Sequence, residues 1–165
     1  MARKLRKKGS LDDLVYIIVI LIFFGMGLLI IGKWTDAFNT AIQSNDDIPV
    51  AGKTAVGQMN NLYGGVLDNG FLFLTVGLCL VALIFAMMVI IHPVFFVLYF
   101  IMLAVVVFVS GAVSNIYQTA AAEPTLAPIA AKLIWTSHIL TYLPFIIGVI
   151  GFILAIVMYK NYQQR

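Results

Sequence analysis

Leu14-Val15-Tyr16-Ile17-Ile18-Val19-Ile20-Leu21-Ile22-Phe23-Phe24-Gly25-Met26-Gly27-Leu28-Leu29-Ile30-Ile31 is a run without one Lys, Arg, Asp or Glu. As a helix rising 1.5 Å per residue it would be about 27 Å long, close to the ~30 Å hydrocarbon layer of a bilayer. Three more runs follow, Phe71–Ile91, Pro93–Val113 and Ile139–Met158, and they too carry no formal charge. In lipid a backbone finds no water to bond, and a helix satisfies its own N–H and C=O groups. The four runs therefore predict an all-α integral membrane protein with four transmembrane helices.

Composition points the same way. The 165 residues are 62% hydrophobic and 10% charged, against about 25% charged in a soluble domain. That leaves too few charges to cover a water-facing surface, so residues 1–165 read as one membrane domain. The basic, then apolar, beginning differs from a cleavable signal. Its apolar run exceeds the roughly 7–15 residues of such a signal, and no small-residue cleavage site follows. It reads as an uncleaved anchor that is also the first span.

Charge sets the expected orientation. Arg3, Lys4, Arg6, Lys7 and Lys8 are five of the ten basic residues and directly precede the first span. Positive charge resists translocation, which predicts a cytoplasmic N-terminus. Four crossings return the C-terminus, with Lys160 and Arg165, to the same side. Lys33, Lys53 and Lys132 then fall in the opposite loops, among Asp36, Asp46, Asp47, Asp68 and Glu123. Trp34, Trp135 and Tyr142 are expected at the outer interface, and Tyr16, Tyr159 and Tyr162 at the inner one. The five-charge arm is also a candidate contact for anionic lipid headgroups, at roughly 1 kcal/mol per charge near the surface. Nucleic acid is its alternative polyanion, but no aromatic residues interleave the charges, so lipid is favoured.

The seams between spans carry local signals. Ser10, Asp12 and Asp13 suit a helix start, as cap and as partners of the positive helix end. The first outer loop, residues 32–70, is long. Trp34, Phe38, Ala41 and Ile42 keep a helical spacing, as do Ala55, Val56, Met59, Leu62, Tyr63, Val66 and Leu67. Ser44–Pro49 reads as a break between them. Two amphipathic helices are expected here, on the interface or against a partner, the second running into the second span after Asp68-Asn69-Gly70. His92-Pro93 predicts a tight turn, since proline disfavours helix at the residue before it. In the second outer loop, residues 114–138, Pro128 suits the start of a helix. Pro144 is expected to bend the fourth span.

Chemistry-bearing motifs are sparse. Ala51-Gly52-Lys53-Thr54 has the ending of a phosphate-binding loop, but Asp47 stands where the first glycine is needed and no strand precedes it. His92 and His138 fall on opposite sides and cannot share a metal. Cys79 is the single cysteine, so neither a disulfide nor a CxxC pair can form. Ion-coupled transport places ionisable groups inside spans, and the four runs hold none. No catalytic, cofactor-binding or metal-ligating residue is assigned, and no enzyme activity is expected. Small residues are the better signal. Thr75, Cys79, Ala82 and Ala86 share one face of the second span, Gly148, Gly151 and Ala155 one face of the fourth, and Ser110 and Ser114 close the third. Small residues let helices approach closely in lipid. They predict packing within the chain, with oligomerisation as the alternative.

His92-Pro93-Val94-Phe95-Phe96, Ser114-Asn115-Ile116-Tyr117 and Leu143-Pro144-Phe145-Ile146-Ile147 resemble stretches of small multi-span membrane proteins of tailless icosahedral viruses with an internal lipid membrane. The resemblance runs over about residues 60–160 and brings no catalytic motif. It implies a structural, scaffolding protein of a virion membrane, in many copies between capsid and genome, with membrane or capsid subunits as partners. The host plasma membrane or the virion membrane would then be its location. The alternatives from other classes are a small channel or holin-like pore, and an accessory subunit of a membrane transport or enzyme complex.

Overall fold

The computed structural model describes residues 10–88 and 93–163. Among them there are six helices and no strand: α1 Ser10–Ser44, α2 Val50–Met88, α3 Pro93–Ala121, α4 Ala127–Lys132, α5 Ile134–Thr141 and α6 Leu143–Gln163. Four of these, α1, α2, α3 and α6, are long and apolar enough to cross a membrane. The chain is an all-helical, multi-pass membrane protein. The basic arm Arg3–Lys8 and His92 lie outside the described residues, while Pro93 opens α3.

The four long helices form a bundle. α1 packs along α2 and α6 along α3, with α1 also touching α3 and α6 touching α2. Going round the bundle the order is α1, α2, α6, α3. Among the described residues α2 and α3, though consecutive, face each other across the diagonal rather than side by side. Phe24 stacks with Phe71 at 6.0 Å, which sets the height of α2 against α1. Phe96 meets Tyr159 at 5.5 Å, which places the start of α3 beside the end of α6. The start of α1 and the end of α6 therefore share one end of the bundle, called proximal below; the α1–α2 connection lies at the distal end.

The first outer loop is shorter than expected. The helical spacings at 34–42 and 55–67 belong to α1 and α2 themselves, which run on without a break. At 35 and 39 residues these helices are about 52 and 58 Å long, well beyond the hydrocarbon thickness. Nothing between Ile31 and Trp34 stops a helix: Gly32 is tolerated because Ile129 and Tyr63 pack where its side chain would be. The break comes at Asn45–Pro49. Asn45 Oδ1 accepts the Asp47 N–H at 3.0 Å, a short side-chain turn that competes with helix. Gln43 and Lys53 bridge the two helices beside the turn: Gln43 Nε2 donates to Lys53 O at 2.8 Å and Lys53 Nζ to Gln43 O at 3.0 Å.

The fourth span also differs. It does not begin at Ile139. The chain leaves helix at Leu133 and again at Tyr142, so α5 is a separate short element and the span starts at Leu143. Pro144 sits in the first turn of α6, where its missing N–H costs nothing and its fixed φ suits a helix start. It starts the span rather than bending it.

Candidate functional site: a buried carboxylate at the distal end

Asp68 falls in a segment that reads as loop, yet it stands on α2 and is only 4% exposed. One turn towards the proximal end, Phe71 faces Phe24. One turn and a half the other way, Tyr63 donates its hydroxyl to Leu28 O. Asp68 therefore lies alongside the uncharged stretch of α1. Burying a carboxylate there is costly unless it is paired or hydrogen-bonded.

The partners come from α5. Asp68 Oδ2 accepts the Trp135 N–H at 2.8 Å, and Oδ1 accepts both the Thr136 N–H at 2.7 Å and the Thr136 hydroxyl at 2.8 Å. These are first-turn groups of α5, and the residue at its own cap position, Leu133, supplies no side-chain acceptor. Asp68 thus caps α5 from another helix. A capping side chain normally sits on the helix it caps and satisfies the same orphan donors. The negative charge also suits the positive end of α5.

Further polar contacts tie the α4–α5 segment to the other helices. Ser137 Oγ donates to Ala130 O at 3.0 Å, and the Tyr117 and Ser137 hydroxyls are 2.9 Å apart. Ser114 Oγ donates to Thr141 O at 2.7 Å, and Gln118 Nε2 to Ser114 Oγ at 3.1 Å. On the surface, Lys132 Nζ meets the two Asp36 oxygens at 2.8 and 3.1 Å. α1, α2 and α3 each hold this segment by at least one side chain. The arrangement joins helices; Asp68 spends three acceptor positions on donors of its own chain. Among the described residues no group of three or more His, Cys, Asp or Glu is placed to hold a metal ion.

The small residues sit elsewhere. Thr75, Ala82 and Ala86 of α2 are buried and Cys79 is half-buried. Thr75 turns its hydroxyl back to Phe71 O at 2.8 Å. On α6, Gly151 and Ala155 are buried and Gly148 is half-buried. Gly151 marks a close approach of α3 and α6: a methyl there would run into Leu103, and Tyr99 donates its hydroxyl to Gly151 O at 2.9 Å. Ser110 bonds Val107 O at 2.7 Å within its own helix. His138 is exposed, its Nδ1 2.8 Å from Ile134 O.

A sequence signal for Asp68 existed. The stripe Thr75, Cys79, Ala82, Ala86 continues backwards at helical steps through Phe71, Asp68, Gly64 and Asn60, and those four are all buried. Asn69-Gly70 looks like a loop and hides that continuity.

No protein-family model, curated protein or solved structure matches this chain.

Proposed function

We propose that this chain is a non-enzymatic structural or scaffolding protein of a membrane, with its N- and C-termini on the cytoplasmic side. The observation that carries the reading is how its buried polar groups are used. Asp68, Thr136, Ser114 and Tyr117 bond to one another's helices, so the polar interior of the distal end serves cohesion. The faces turned outward on α3 and α6, such as Phe108, Phe145 and Phe152, are apolar and suit lipid or a neighbouring membrane subunit. The virion membrane implied by the sequence resemblance is the proposed setting, with capsid or membrane subunits as partners and anionic headgroups at the basic arm.

The test is reconstitution of the purified chain in planar bilayers. A structural protein gives no steady unitary current across the physiological voltage range. Reproducible unitary currents altered by Thr75→Val or Ser110→Ala would move the chain to the channel class.

A further inference from the structure

α1 turns polar too early for its neighbours. Val15 and Ile18 share an apolar groove with Met102 and Val105 of α3, and Tyr16 and Ile17 share another with Val81 and Phe85 of α2. Leu103 packs where a side chain on Gly151 would be, which brings α6 into the same register. Val15, Met102 and Phe152 therefore stand at about one height. From that height towards the proximal end, α1 has two residues before Asp13, about 3 Å of helix. α3 has nine residues back to Pro93, about 14 Å, and α6 has eight on to Lys160, about 12 Å. None of those residues on α3 or α6 before Lys160 is charged. α1 reaches Asp13 and Asp12 roughly 10 Å short of where its neighbours become polar.

A flat membrane surface cannot suit both. Set at the level of Pro93 and Lys160, it leaves the α1 turn that carries Asp12 and Asp13 at hydrocarbon depth, which is expensive for charged positions. Set at the level of Asp13, it strips lipid from two or three apolar turns of α3 and α6. Tilting the bundle does not solve it, because packed helix axes are only 8–10 Å apart. An offset of about 10 Å over that spacing needs a tilt near 45°, beyond the usual range of transmembrane helices. We infer that the lipid headgroups and water of the proximal leaflet dip along α1, so that the protein thins that leaflet locally by about 10 Å. This inference holds whether or not the chain is a scaffold, since it follows from helix register alone.

The experiment uses full-length protein in liposomes, in a Cys79→Ala background. Spin labels are placed at Val15→Cys on α1 and Phe152→Cys on α6, two side chains already 45% and 54% exposed. Depth is read from the contrast between oxygen and a water-soluble nickel chelate. The Val15 label is expected about 10 Å shallower than the Phe152 label, and the difference should shrink in bilayers of shorter acyl chains. Tyr16→Cys and Ile153→Cys form a second pair should either first variant misfold. Equal depths within a pair would overturn the inference. So would a Val15 label shielded from both oxygen and nickel, which would mean that protein covers α1 there.

Discussion

Asp68 is the residue on which the distal end turns. Its carboxylate accepts three donors from α5, two on Oδ1 and one on Oδ2. Asp68→Asn keeps one oxygen but turns an amide N–H₂ towards N–H donors. It should destabilise the fold by about 1–3 kcal/mol, the cost of leaving buried groups unsatisfied. Thr136→Val removes one of the three bonds and keeps the volume; about 1 kcal/mol is expected. Thermal unfolding in detergent followed by circular dichroism measures both. A double variant losing less than the sum of the two singles would show that the residues act as one unit. Wild-type stability in Asp68→Asn would refute the capping role.

At the scale of the helix, glycines separate packing from propensity. Gly27 and Gly77 lie in helix interiors with open space where a methyl would go. Alanine at either should be neutral to stabilising, up to about 1 kcal/mol, because glycine is the poorer helix former. Gly151 is different, because Leu103 occupies the place. Gly151→Ala should lower the melting temperature, and Gly151→Val more so, in the range of about 1–3 kcal/mol for overpacking. Leu103→Ala in the Gly151→Ala background should recover part of that loss by making room. Gly148 sits on the same stripe, but a methyl added there would stand 3.8 Å from its nearest neighbour, Val107; alanine should be tolerated. A uniform response across the four glycines would mean that close approach of α3 and α6 is unimportant.

The whole molecule is a bundle in which the start of α1 and the end of α6 share one side. Single cysteines at Lys8 and Arg165, again with Cys79→Ala, should be labelled by a membrane-impermeant reagent only from the cytoplasmic side. A cysteine at Asp47, in the turn between α1 and α2, should be labelled only from the opposite side. Labelling of Lys8 and Arg165 from different sides would exclude an even number of crossings. Both cytoplasmic sites labelling from outside would reverse the charge argument, in which five basic residues at the arm outweigh Lys33, Lys53 and Lys132.

The membrane class and the four spanning helices follow from the sequence alone. Long charge-free runs in a chain with so few charges leave no water-soluble alternative, and a helix bonds its own backbone within a single stretch. Those are local properties, readable one segment at a time. The break at Asn45–Pro49 was legible for the same reason, being made by the turn chemistry of neighbouring residues. The length of α1 and α2 beyond the bilayer was less so. Gly32, Gly64, Gly65, Asn69 and Gly70 look like loop residues singly, yet all lie inside these two helices. Gly32 packs there against Ile129 and Gly64 against Lys132, contacts that no local reading supplies. The role of Asp68 was decided by the tertiary structure. Its partners are 67 and 68 residues away, and only the folded bundle brings a capless helix to a carboxylate that would otherwise be read as solvent-exposed. The diagonal placement of α2 and α3 is likewise a property of the bundle, because it depends on which apolar faces meet, and four runs apolar on nearly every side do not specify their neighbours.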